Sequence, residues 1–146
     1  MDLEACHQLL RNNKIKSTDQ RKEILCYIAA QAHIHPTAQQ IHEAIVRKYT
    51  STSLGNVYHN LSLFEEKKVV RKIVSGDAAS PSRYEIVEDH SHLHIVCTEC
   101  GSIEDVYSLS FSEKMKHLIF QETRYQLHEF QSNLSGICSN CIEKTD

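Results

Sequence analysis

The first half of the chain repeats its apolar residues at the helical period, and the second half mostly does not. Leu3, Cys6, Leu9 and Leu10 share one helical face, and beyond a polar turn around Lys16 and Ser17 a second periodic run carries Ile24, Leu25 and Ile28. Thr18 stands immediately before Asp19, Gln20 and Arg21. A threonine there can accept a hydrogen bond from a free amide of the first turn, and the aspartate suits the positive end of the helix dipole. Pro36 suits the first turn of a third helix over 37–48, where Ala38, Ile41, Ile45 and Val46 keep the period. Ser51 or Ser53 caps a fourth helix that buries Leu54, Val57, Leu61 and Phe64. Two short strand-like stretches, 69–74 and 83–87, flank the turn sequence SGDAASPS and predict a hairpin. Together these elements match a helix-turn-helix core with a wing beside its fourth helix.

From Tyr84 onward the period becomes two. His92, His94 and Val96 alternate with Leu93, Ile95 and Cys97, 103–107 reads as another short strand, and 125–137 as a longer one. Between them 111–122 forms an amphipathic helix with Phe111, Met115, Leu118 and Ile119 inward. The expected fold is therefore α+β: an N-terminal winged helix over residues 1–82, including the hinge, followed by a small α/β domain over 83–146. The sequence holds no internal repeat and no low-complexity tract.

Charge sharpens this division. Residues 1–82 carry 11 Lys+Arg against 8 Asp+Glu, a net of +3, and residues 83–146 carry 5 against 11, a net of −6. A mildly basic half suits a polyanion and an acidic, histidine-rich half suits cations. Composition, 40% hydrophobic and 24% charged over 146 residues, is that of a globular chain and argues against disorder. No apolar run approaches the roughly 18 residues of a membrane span, and MDLEACHQLL lacks the features of an export signal. The expectation is a soluble, cytoplasmic protein.

In a reducing compartment six cysteines point to metal before disulfides. Cys97-Thr-Glu-Cys100 and Cys138-Ser-Asn-Cys141 are two C-x-x-C knuckles separated by 37 residues. Each brings two thiolates close enough to share one ion, and two such pairs complete the tetrahedral shell zinc prefers, with no open position for catalysis. Gly101 suits the tight backbone after the first knuckle. Redox pairs of the thioredoxin kind, or unrelated buried thiols, are the competing readings. Structural zinc can supply on the order of 10 kcal/mol towards folding. Cys6 and Cys26 lie on apolar helix faces without such spacing and read as core residues.

His92-Leu93-His94 puts two imidazoles on one face of a strand, which suits a metal ion but equally suits an exposed polar face. Glu85, His35 and Asp105 lie near enough in sequence organisation to complete a mixed nitrogen and oxygen shell. The segments STDQR, HPTAQQIHEAI, STSLGNVYHNL, RYEIVEDHSHLHIVCTECG, SIEDV and GICSNC run in order along almost the whole chain. In these the sequence resembles the ferric uptake regulator (Fur) family, most closely its peroxide-responsive PerR branch.

That resemblance implies an N-terminal winged-helix DNA-binding domain, a C-terminal dimerisation domain, a homodimer, and a regulatory metal spanning the hinge. The implied regulatory ligands are His35, Glu85, His92, His94 and Asp105, holding Fe(II) or Mn(II) beside the structural Zn(II) of Cys97, Cys100, Cys138 and Cys141. His35 and His92 are the implied sites of oxidation when peroxide meets bound iron. Peroxide sensors of the family commonly carry aspartate at both carboxylate positions; Asp105 follows that habit and Glu85 departs from it, which leaves iron sensing as the alternative. A further family metal site would fall on Ser91 and Leu93, neither a usable ligand, and His90, His117 and His128 are read as ordinary polar residues.

The fourth helix resembles the family's recognition helix, with Asn56, Tyr58, His59 and Asn60 on its polar side and Gly55-Asn56 where the family usually has Ala-Thr. Arg21, Ser53, Asn56, Tyr58 and His59 are the expected DNA contacts, on a roughly palindromic operator. Lys14, Lys16, Lys67, Lys68, Arg71 and Lys72 are candidates for phosphate. A metalloenzyme is the rival from another class, because His, Asp and Glu around an ion also activate water; no nucleophile motif accompanies them. A zinc-sensing paralogue would differ in the metal that restores operator binding, and a zinc module for protein interaction would have no DNA affinity. The reading adopted is a regulator and not an enzyme.

Overall fold

The computed structural model describes residues 1–74, 80–87, 92–107, 109–127 and 133–144. These fall into two compact units, the first of 1–74 with 80–87 and the second from residue 92 onward. Residues 75–79 of the SGDAASPS turn, together with His90, Ser91 and His128, lie outside the described residues.

In the first unit four helices, α1 (Leu3–Asn12), α2 (Asp19–Ala30), α3 (Ala38–Val46) and α4 (Leu54–Glu66), precede an antiparallel pair, β1 (Val70–Ile73) and β2 (Arg83–Ile86). Each helix begins at a side-chain cap. Asp2 accepts from the Ala5 amide at 2.8 Å, Thr18 from Arg21 at 3.3 Å, and Ser53, rather than Ser51, from Asn56 at 3.2 Å. Thr37 accepts from the Gln40 amide at 3.2 Å while the Gln40 side chain accepts from the Thr37 amide at 2.9 Å, a reciprocal capping box. This corrects the placing of Pro36 in the first turn. With Thr37 as cap, Pro36 lies outside α3, and its carbonyl instead accepts the Tyr84 amide at 3.0 Å.

Leu10, Ile24, Leu25, Ile28, Ile41, Val57, Leu61 and Phe64 meet in one apolar core, closed on the hairpin side by Val69, Val70 and Tyr84. Because β2 completes the hairpin with β1, the first unit runs through Val87, beyond the boundary after residue 82 that the charge break suggests.

Asn60 belongs to this core and not to the polar side of α4. It is 5% exposed, accepts from Arg21 Nε at 2.9 Å and donates to the Asn56 carbonyl at 2.8 Å. Arg21 also donates to the Lys16 carbonyl at 2.8 Å. An asparagine one turn after a helical neighbour can bond back to that residue's carbonyl, so a polar residue can sit on the inward face.

In the second unit β3 (Leu93–Cys97) lies between β4 (Ile103–Val106), antiparallel, and β5 (Asn133–Gly136), parallel. Helix α5 (Leu109–Thr123) connects β4 to the segment before β5, and a single turn, α6 (Ser139–Ile142), follows it. The long strand expected over 125–137 is reduced, among the described residues, to β5, since 124–127 is irregular. Phe111 and Leu118 of α5 are 39% and 51% exposed, contrary to the inward orientation expected of them. The helical period decides which residues share a face; it does not decide whether that face packs within the same chain.

Replacing Asn60 by alanine leaves the half-buried Arg21 Nε without its acceptor inside the core. The expected loss is about 1–3 kcal/mol of stability in the first unit, read from the midpoint of urea unfolding. A midpoint unchanged in Asn60→Ala would show that the Arg21–Asn60–Asn56 chain carries no weight.

Candidate metal centres and recognition helix

The parallel pairing of β3 and β5 decides where the cysteines go. Parallel strands end at the same edge of a sheet, and Cys97 pairs with Gly136 in register, so the knuckle closing β3 and the one following β5 emerge side by side. The first knuckle turns tightly: the Gly101 amide donates to the Cys97 carbonyl at 2.9 Å, with Gly101 at φ 69°, where a side chain would be strained. The second is tied to the first by the Cys138 amide, which donates to Cys97 Sγ at 3.3 Å.

Ligand atoms of Cys97, Cys100, Cys138 and Cys141 all lie within 4.8 Å of one another. Cys100 Sγ and Cys138 Sγ are 3.8 Å apart, and a regular tetrahedron of sulfurs about ~2.3 Å from a central zinc has edges of ~3.8 Å. The donor set therefore fits zinc. The amides of Cys138 and Cys100 hold the Cys97 thiol down at about 6, while sulfhydryl contacts from Cys138 and Cys100 push Cys141 up to about 12. Cys97 is the thiol ready to bind as thiolate at neutral pH, and Cys141 is the one that must lose its proton to the incoming ion.

A second cluster lies on the same sheet. Asp105 sits directly opposite His94 in the β3–β4 register, which puts its carboxylate on the face of the histidine pair. His92 Nε2 and His94 Nε2 are 3.0 Å apart, and Asp105 Oδ1 lies 3.5 Å from His94 Nε2 and 4.0 Å from His92 Nε2. Both imidazoles are buried. Two nitrogens ~2.1 Å from one ion and at a right angle would be ~3.0 Å apart, so this half-set fits a divalent ion of six-coordinate habit. Tyr107 was not foreseen: its ring packs 4.9 Å from that of His92, and its hydroxyl lies 3.5 Å from Asp105 Oδ2. The signal was available, since Tyr107 follows Asp105 by two residues and the strand period returns it to the same face.

His35 and Glu85 form a separate half-set in the first unit. Backbone pairing brings them together: Thr37 bridges Arg83, and the Tyr84 amide reaches the Pro36 carbonyl. His35 has φ 49°, a left-handed backbone uncommon for a side-chain-bearing residue and associated with functional constraint. Its Nε2 lies 3.5 Å from Glu85 Oε2, with both residues buried. Arg71 Nη1 donates to the other carboxylate oxygen, Oε1, at 2.9 Å, across the register pair Arg71–Glu85. Arg71 thus directs at least one of its donors to Glu85 within the hairpin.

On α4, Asn56, Tyr58 and His59 are exposed, Tyr58 by 50%. Ser53 is also exposed, with its hydroxyl capping the helix. Arg21 donates to Asn60 and to the Lys16 carbonyl, which links it to the inner face of α4.

A model of the ferric uptake regulator family matches residues 12–141. The peroxide-responsive repressor PerR of Staphylococcus saprophyticus is 32% identical over 135 residues, covering 92% of this chain and 88% of that protein. Among solved structures, the Helicobacter pylori ferric uptake regulator, described as having three functional metal-binding sites, matches with a TM-score of 0.80 at 22% identity, over 97% of this chain and 95% of its own. The peroxide-sensing PerR of Streptococcus pyogenes is 27% identical with a TM-score of 0.50, over 95% of this chain and 92% of its own.

Zinc binding to the cysteine site must displace the protons still held, above all that of Cys141. Affinity is expected to fall about tenfold per pH unit for each proton displaced as pH is lowered from about 8 to about 6, measured by competition with a chromophoric chelator. Cys141→Ser should lose tightly held zinc altogether; an affinity indifferent to pH would remove the thiols from the coordination shell.

Proposed function

The chain belongs to the ferric uptake regulator family, most like its peroxide-responsive branch, and on that premise we propose that it is a homodimeric repressor whose grip on a roughly palindromic operator depends on Fe(II) or Mn(II) and is lost to peroxide. The observation that carries this reading is the pair of half-sets, buried His35 with Glu85 in one unit and buried His92 and His94 with the half-buried Asp105 in the other. Burying so many ionisable groups costs free energy unless a partner compensates, and an ion shared by both sets would favour only the arrangement of the units that joins them. Metal and operator would then be linked ligands, each tightening the other.

The five ligands offer imidazole nitrogen and carboxylate oxygen without thiolate, a set that suits iron or manganese, while the four cysteines suit structural zinc. Bound iron would supply the redox chemistry by which hydrogen peroxide adds one oxygen to a ligand imidazole, with water as the other product. His35 and His92 are the rings proposed to take that oxygen. An oxidised ring donates poorly, the shell loosens, and repression ends. Helix α4 would enter the major groove, with Asn56 reading a base edge and Tyr58 packing on sugar or a thymine methyl. Phe111 and Leu118, exposed on α5, support a second copy as the cover for that face.

Glu85 favours a second reading, an iron-sensing repressor without ligand oxidation, because its longer side chain alters how the carboxylate meets the ion. One experiment separates the two. Protein loaded anaerobically with Fe(II) is treated with peroxide, and peptides containing His35 and His92 are weighed while operator binding is followed by gel shift. A gain of one oxygen with loss of binding supports the sensor; unmodified peptides with binding retained support the iron co-repressor. A chain that never binds DNA in any metal state would sink both.

On the DNA side, Asn56→Ala should cost about 1–3 kcal/mol of operator affinity and relax the base preference at one position in each half-site. Equal weakening on all sequences would demote Asn56 to a backbone contact.

A further inference from the structure

Two cysteines take no part in the zinc cluster, and the fold has brought them together. Cys6 on α1 and Cys26 on α2, 20 residues apart in sequence, place their sulfurs 2.6 Å from each other. Both are free thiols, a short step from the ~2.05 Å of a disulfide. Neither C-x-x-C spacing nor any motif marks the pair; helical period alone puts each on its helix's inward face. Their environments differ. Cys6 is fully buried, whereas Cys26 is half-buried and lines a cavity of about 260 Å³ together with Glu23, Lys48 and Tyr49. A space of that size has ample room for a molecule as small as hydrogen peroxide.

We propose that Cys26 and Cys6 are an oxidisable dithiol within the DNA-binding unit, in which hydrogen peroxide attacks Cys26 from the cavity and Cys6 resolves the product as a disulfide tying α1 to α2. In the first step the Cys26 sulfur attacks one peroxide oxygen, the O–O bond breaks, and Cys26 sulfenic acid and water result. In the second the Cys6 sulfur attacks the sulfenic sulfur, the S–O bond breaks, and the Cys6 proton leaves with the hydroxyl as water. Two thiols are oxidised to one disulfide, and one peroxide is reduced to two waters.

The order follows from access and charge. Burial, and then the neighbouring Cys26, hold the Cys6 thiol up at about 12, so Cys6 is a poor first target because the thiolate is the reactive form. Once Cys26 has become a neutral sulfenic acid, the like-charge part of that penalty disappears. Neither cysteine is one of the proposed metal ligands, and their reaction with peroxide needs no regulatory metal.

The test uses full-length, zinc-loaded protein with Mn(II) in place of iron, so that histidine oxidation does not compete. After peroxide, free thiols are alkylated and the protein is digested without reductant. The expected product is a linked peptide pair containing Cys6 and Cys26, lighter by two hydrogens than the sum of its parts and separated by dithiothreitol. In Cys6→Ala, which keeps the site apolar, Cys26 should proceed to the sulfinic acid; in Cys26→Ala, Cys6 should stay reduced. Circular dichroism confirms that both variants remain helical. Recovery of both cysteines alkylated, sulfinic acid on Cys26 of the unaltered chain, or linkage of either residue to a zinc cysteine would each overturn the proposal.

Discussion

The candidate zinc site depends on the parallel contact of β3 with β5, because β4 pairs with the other edge of β3 and only β5 leads into the second C-x-x-C turn. Among the described residues the buried hydrophobic side chains are concentrated in the first unit, and only Leu93, Val96 and Cys97 belong to the second. A three-stranded sheet with so thin a core lies in the size range where small domains rely on metal or on a partner subunit. Parallel pairing provides for the first by setting both C-x-x-C turns at one edge. It also explains why Cys97 belongs to strand and site at once: it ends β3, pairs with Gly136, and receives the Cys138 amide.

The exposed face of α5 bears on the second means of support. Phe111 and Leu118, two turns apart on one side of α5, remain open in the single chain, and exposed apolar side chains sharing a face are of the kind that marks an interaction site in soluble proteins. The first unit has no comparable need: Phe64, Leu10, Ile24 and Leu61 give it a complete core. The proposed metal chemistry and self-association would thus be concentrated in the unit with the thinner apolar core, and the proposed DNA recognition in the unit with the fuller one.

Much of this was legible in the sequence, for reasons that differ from residue to residue. Thr18 and Ser53 announced two helix starts because a cap is a local, chemically specific event. The cysteine cluster was legible because thiolate spacing within each knuckle constrains geometry without reference to the rest of the fold. What the sequence hid was tertiary. Pro36 looks like a first-turn residue until the Thr37–Gln40 capping box claims the boundary. Asn60 looks like a groove contact until Arg21, 39 residues earlier, claims its oxygen. The outward turn of Phe111 and Leu118 was hidden for the same reason, since period fixes a face and not its partner.

Arg71 and Glu85 show how such a hidden contact bears on the proposed chemistry. A glutamate reaching for an ion can donate through one oxygen or both, and its extra methylene gives it freedom that aspartate lacks. In this chain one oxygen is already taken: Oε1 accepts from Arg71 at 2.9 Å, and Oε2 is the atom near His35. A charge-assisted bond of this kind, formed in a buried site, is among the stronger contacts a carboxylate makes. Were Glu85 to hold the proposed ion, this contact would favour donation through Oε2, the oxygen that faces His35. On the proposed reading, the extra methylene of Glu85 is restrained by a partner from the opposite strand, so the residue at position 85 has to be interpreted together with Arg71.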